Sequence, residues 1–109
     1  MRGELRRVAK DGGPGAGDAE IALGDGPLGT RLKSSILALA EHRGPRSSIC
    51  PSDAARAVGG KRWRDLMADA RKAARELARS GDVQVIQRGS VVDADDDWHG
   101  PVRIRITTR

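Results

Sequence analysis

The chain predicts an α+β domain, and three observations carry that reading. Between Gly59 and Gly81, residues Trp63, Leu66, Met67, Ala70, Ala74 and Leu77 recur at the i, i+3, i+4, i+7 spacing of an amphipathic helix. After Gly81 the period changes, and Val102-Arg103-Ile104-Arg105-Ile106 alternates cleanly, aliphatics on one face and arginines on the other. The order along the chain is helix, short strand, helix, turn, helix, strand, loop, strand. That is the order of a winged helix-turn-helix with three helices, a short first strand and a C-terminal two-stranded wing.

Residues 1–30 hold eight of the fourteen glycines, together with Pro14 and Pro27. A run such as Gly12-Gly13-Pro14-Gly15-Ala16-Gly17 buries too little apolar surface to offset its ordering entropy. The segment reads as a disordered Gly-rich N-terminal tail, with the domain spanning residues 31–107. Ala19 to Leu23 could fold transiently onto the domain. Arg2, Arg6, Arg7 and Lys10 suggest a minor-groove arm, but Glu4 and Asp11 dilute the cluster, so a solvated tail is the simpler reading.

Order begins near Thr30, a candidate N-cap, and Leu32, Ile36, Leu39 and Ala40 mark one face of a first helix that Gly44-Pro45 ends. Ser47-Ser48-Ile49 reads as a brief extended piece. Pro51 suits the first turn of a second helix, whose Ala54, Ala55 and Val58 face inward. Gly59-Gly60 turns the chain into the third and longest helix, and Gly81 supplies a left-handed stop. Val83 to Gln87 has strand character, although Val85 and Ile86 side by side blur the alternation. A long loop from Arg88 to Pro101, rich in Gly and Asp, separates it from the last strand.

At 109 residues this is one domain, with no Phe or Tyr and only Trp63 and Trp98 as aromatic bulk. The core is therefore small and aliphatic. No apolar run is long enough for a transmembrane helix or a secretory signal. The lone Cys50 excludes an internal disulfide and fits a cytoplasmic protein, and heavy Arg and Ala usage suggests a GC-rich bacterial genome.

The net charge of +5 is concentrated in the middle of the chain, where residues 31–81 carry twelve basic and five acidic side chains. Both flanks are slightly acidic, so a polyanion would be drawn to the helical centre. At roughly 100° per residue, Arg64, Arg71, Lys72, Arg75 and Arg79 fall on one side of the third helix, away from its apolar stripe. Arginine forks there can pair with guanine edges or grip phosphates. Arg62 and Arg64 are placed to probe bases or the nearest backbone, and Arg71, Lys72 and Arg75 to meet phosphates. The bland alternative is a solvated face stitched by Asp69–Lys72 and Lys72–Glu76 pairs, each worth roughly 0.2–0.5 kcal/mol.

The wing argues against a duplex, because Asp93, Asp95, Asp96 and Asp97 stand where a phosphate-contacting cation would be useful. Arg88, at the base of that loop, is the one wing residue that suits a phosphate. Asp93-x-Asp95-x-Asp97 opens like a calcium loop, but Trp98 replaces the glycine at position six and Ile104 the glutamate at position twelve. Cys50, just ahead of a helix, is a candidate redox thiol, although a small buried residue is the commoner role. His42 and His99 lack partners for zinc, and no metal or other cofactor is implied. Ser52 and Asp53 are explained by capping, and Gly59-Gly60-Lys61 lacks the strand turn of a phosphate loop, so no enzyme chemistry is expected. Trp63 reads as a core anchor and Trp98 as a lid or as an exposed contact for a partner.

The Ile49-Cys50-Pro51-Ser52 run, the Trp63-Arg64-Asp65-Leu66-Met67 run, Ser80-Gly81 and Gly100-Pro101-Val102-Arg103 resemble a small group of uncharacterised bacterial winged-helix domains grouped as a domain of unknown function. The resemblance covers about residues 32–106 and implies the fold, not an activity. The resulting expectation is a cytoplasmic winged-helix protein that contacts duplex DNA through its third helix, a transcriptional regulator or accessory factor. Its nucleic-acid contacts would be Arg62, Arg64, Arg71, Lys72, Arg75 and Arg88. The alternative is a protein–protein interaction module without nucleic-acid binding. Either would be a monomer or weak homodimer with no membrane partner.

Overall fold

A computed structural model describes residues 2–107. Five α-helices come first: α1 (Arg2–Asp11), α2 (Ala16–Leu23), α3 (Leu28–Arg43), α4 (Pro51–Gly59) and, after a 3-10 segment over Gly60–Leu66, α5 (Met67–Arg79). Three strands follow, β1 (Val83–Gln87), β2 (Ser90–Val92) and β3 (Arg103–Ile106). They form one antiparallel sheet in the order β2-β1-β3. The α+β, winged-helix-like arrangement expected from the sequence is present. Among the described residues, no helix is long and apolar enough to cross a membrane.

The predicted first helix is α3, which starts three residues earlier than a Thr30 N-cap implies, so Pro27 rather than Thr30 stands at its N-cap. Pro51 opens α4 as expected, and the Asp53 carboxylate accepts the Cys50 N–H at 3.0 Å. The short first strand shrinks to a single bridge, in which Ile49 and Ile104 exchange backbone hydrogen bonds of 2.8 and 2.7 Å. Both side chains are fully buried, so this bridge ties the turn before α4 to the sheet at the centre of the core. Leu32, Ile36 and Leu39 of α3, Ala54 and Ala55 of α4, Ala70 and Ala74 of α5, and Val85 of β1 complete that centre.

The sequence predicts one continuous helix from the double glycine to Gly81, and the structure divides it. Gly60 has φ +57° and Arg62 has non-helical dihedrals, which holds residues 60–66 in a tighter 3-10 turn. Three residues per turn align Trp63 with Leu66, and both are half-buried. The Leu66 side chain packs so near Gly59 that a Cβ there would sit 2.7 Å from it. At the other end the stop falls where expected. Gly81 has φ +82°, its N–H bonds Ala78 O at 3.1 Å, and the Asp82 N–H reaches Leu77 O at 3.0 Å, a Schellman closure.

Two further expectations are corrected. The wing is not a bare two-stranded ribbon, because β2 forms inside the predicted loop and pairs with β1 through Val85↔Val92 and Gln87↔Ser90. The turn between them is tight, with φ +55° at Arg88 and +81° at Gly89, the mirror-image geometry that suits right-twisted hairpins. Arg88 is thus at a hairpin tip rather than at the base of a long loop.

The N-terminal segment is not a disordered tail. Leu5 and Val8 of α1, and Ala19 and Ala22 of α2, are buried in the common core. Polar contacts reinforce them: Arg43 forks onto Glu4 at 3.0 and 3.4 Å, and Arg31 Nε donates to Ala22 O at 3.0 Å. Five of the segment's eight glycines, Gly12, Gly13, Gly15, Gly24 and Gly26, build the turns on either side of α2, and the other three lie within helices. The apolar residues keep helical i, i+3 spacing, and alanines let the helices approach closely.

Candidate nucleic-acid interface

Helix α5 turns Ala70, Ala73, Ala74 and Leu77 into the core and sends Arg71, Lys72, Arg75 and Arg79 outward, as its periodicity predicts. The outward row is not open to solvent along its whole length. After β2 the chain folds back over α5, and the 93–100 loop meets the arginines one after another. Arg71 donates from Nη2 to Trp98 O at 2.6 Å and from both Nη atoms to Gly100 O at 3.3 Å. Arg75 Nη1 donates to Ala94 O and, at 2.9 Å, to Asp96 O. Arg79 Nε pairs with the Asp95 carboxylate at 2.6 Å.

Trp98 is the centre of this cover. Its indole is only 7% exposed, and the guanidiniums of Arg75 and Arg71 lie 4.1 and 5.9 Å from its ring centroid. Indole Nε1 donates to Asp93 O at 3.0 Å, and the Asp95 N–H donates to Asp93 Oδ1 at 2.8 Å. The loop therefore closes on itself before it closes on the helix. Of the two readings of Trp98, it is the lid, lying on α5 rather than over the strands.

The six cations expected to meet DNA divide into two groups. Arg71 and Arg75 are half-buried and their donors are taken by the loop. Arg62 and Arg64 are exposed on the 3-10 segment, Lys72 is exposed on α5, and Arg88 is exposed at the hairpin tip. The expected Asp69–Lys72 and Lys72–Glu76 pairs do not form. Glu76 pairs with Lys33 at 2.5 Å instead, and that hydrogen bond, helped by the charges of Lys33, Lys72 and Arg79, holds its carboxyl below the usual glutamate range.

The structure adds a feature that no single helical wheel contains. Arg56, from α4, and Arg64 both lie over the Trp63 ring, 4.3 and 4.5 Å from its centroid. Lys61 and Arg62 are exposed beside them. Among the described residues, none of Arg56, Lys61, Arg62 and Arg64 makes a salt bridge or a side-chain hydrogen bond within the chain. The 3-10 turn is what gathers them, since it folds the end of α4 against the start of α5.

Cys50 is half-buried at the N-cap of α4, with Arg103 Nη1 2.8 Å from its Sγ. The same guanidinium is held by Ser48, through Oγ at 2.9 Å and O at 2.8 Å. Cys50, Pro51 and Ser52, then Trp63 and Met67, then Gly100 to Val102 line one cleft of about 640 Å³ beside Trp98. Three of the four sequence runs that carry the family resemblance thus meet in space, and Ser80-Gly81 lies elsewhere. Among the described residues, no three His, Cys, Asp or Glu side chains converge in a way that could hold a metal ion.

Residues 29–107 match the model of a family described as Protein of unknown function (DUF3253). The chain belongs to that family. No curated protein matches it. The matched part of this DUF3253 protein begins at α3, so α1 and α2 are packed onto the family domain from outside the matched residues.

Proposed function

We propose that this DUF3253 protein binds duplex DNA through the 3-10 segment and the adjoining ends of α4 and α5, as a cytoplasmic regulator or accessory factor. The observation that carries the reading is the cluster of Arg56, Lys61, Arg62 and Arg64 around Trp63, exposed and without carboxylate partners among the described residues. Unpartnered guanidiniums next to an indole suit both phosphate and base-edge contacts. Arg88, at the hairpin tip, supplies a second phosphate contact, and Lys72 a third. The protein-docking alternative gave Trp98 the role of an exposed anchor, and a buried indole does not favour it.

Fluorescence anisotropy against a random-sequence duplex at two ionic strengths tests the reading. If four phosphates are engaged, the log–log salt dependence has a slope of about −3 to −4. Replacing Lys61→Glu and Arg62→Glu together, at exposed positions off the Trp63 ring, should weaken binding at least tenfold and leave the melting curve unchanged. A double variant that binds like the parent excludes this surface. Arg71 and Arg75 are unsuited to the test, because charge reversal there would also strip the donors from four loop carbonyls.

A further inference from the structure

We infer that the 93–100 loop is a built-in competitor for the basic row of α5, a flap that occupies Arg71, Arg75 and Arg79 until a polyanion displaces it. This rests on the duplex-binding reading above and extends it to a second basic row that adjoins the proposed surface. Three guanidiniums at i, i+4 and i+8 rise about 6 Å per step along one side of a helix. The loop lays the carbonyls of Ala94, Asp96, Trp98 and Gly100, and the Asp95 carboxylate, against that row. Those oxygens fill the positions that phosphate oxygens would fill.

Two features mark the loop as a flap rather than an extension of the sheet. Its internal ties, indole Nε1 to Asp93 O and the Asp95 N–H to Asp93 Oδ1, hold it in shape without using α5. Its polar ties to α5 are all made by the three arginines, and Trp98 packs into the edge of the core, lining a cleft with Trp63 and Met67. Breaking one set leaves the other intact. The flap can therefore lift as a unit once the tie from Gln87 Nε2 of β1 to His99 O, 2.6 Å long, also breaks, with Gly100-Pro101 at its far end.

The exchange favours phosphate. All five hydrogen bonds from Arg71 and Arg75 are to neutral carbonyls, and hydrogen bonds to an ionised acceptor are roughly twice as strong. Asp93, Asp96 and Asp97 have no cation partner among the described residues and are exposed, so the closed flap also sets negative charge over a basic helix. Lifting it frees three guanidiniums and withdraws those carboxylates together. Against this, the tether keeps the loop at high effective concentration, so the closed form holds until duplex is abundant.

The test pairs a loop variant, Asp93→Ala/Asp95→Ala, which removes the Asp95 N–H to Asp93 Oδ1 bond and the Arg79 ion pair, with a charge-matched control, Asp96→Ala/Asp97→Ala, whose exposed carboxylates lie in the same loop and make no side-chain tie among the described residues. Both gain the same charge, so any difference belongs to the flap. The loop variant should bind a random 20-bp duplex at least tenfold tighter than the control. Parent binding with no gain over the control overturns the flap and leaves the duplex reading standing. Binding by the loop variant alone supports both. No binding by either variant or the parent overturns both. In Trp63→Phe protein, where Trp98 is the sole indole, acrylamide quenching should rise at least twofold at saturating duplex, and unchanged quenching overturns displacement.

Discussion

The guanidinium of Arg2 closes the carbonyl end of helix α4, with Nη2 2.7 Å from Val58 O and Nε 3.1 Å from Ala57 O. Those carbonyls are orphaned at any helix C-terminus, and here a cation from another helix satisfies them. The next residues, Gly59 and Gly60, begin the turn that carries Lys61, Arg62 and Arg64. Helix α1 thus braces the base of the candidate interface, and Arg2 serves the fold rather than a minor groove.

Leu5 tests that brace. Its side chain is fully buried between α1 and the core, so Leu5→Ala should lower the unfolding free energy by about 2–4 kcal/mol in urea melts. A residue in a solvated tail would change it by less than about 0.5 kcal/mol. A null result would detach α1 from the domain.

Asp18 ties stability to pH in the sense opposite to most carboxylates. Burial raises its pKa above the model-compound 3.8, the nearby charge of Asp82 adds to the rise, and a hydrogen bond from Ser34 partly offsets it. The folded state therefore binds this proton more tightly than the unfolded state. Ionised Asp18 detracts from stability above its folded pKa, and the penalty fades as pH falls through that value and is gone below about 3.8. Asp18→Asn should melt at a higher temperature than the parent at pH 7, with the gap narrowing steadily towards pH 3. A gap that widens on acidification would reverse the sign.

Much of the frame is legible in the residues because the signals are local. Gly81 ends a helix by its own dihedral freedom, and Val102 to Ile106 alternates because one face is buried. What escapes such reading is non-local. Eight glycines lower the average of residues 1–30, yet Leu5, Val8, Ala19 and Ala22 hold helical spacing within it. The capture of Arg71 and Arg75 is harder still, since their acceptors are main-chain oxygens some 20 to 30 residues away. A backbone carbonyl is the same at every position, so no letter in the loop marks it as a partner. The four aspartates advertise a negative loop, but only the fold says that it lies on the positive helix.

Three glycines separate backbone strain from close packing. Gly13 lies outside the left-handed region and a Cβ would meet nothing within 4 Å, so Gly13→Ala should be neutral or slightly stabilising through the unfolded chain. Gly81 has φ +82° in open space, so Gly81→Ala bears left-handed strain alone, about 1–2 kcal/mol. Gly15 has φ +87° and also faces α3, where a Cβ would sit 3.3 Å from both Ala38 Cα and Ala38 O. Backbone atoms in the middle of a packed helix yield less readily than the end of a side chain. Gly15→Ala should therefore be the most damaging of the three, about 2–4 kcal/mol from strain and displacement together. Equal losses at Gly15 and Gly81 in urea melts would mean that α2 does not approach α3 this closely.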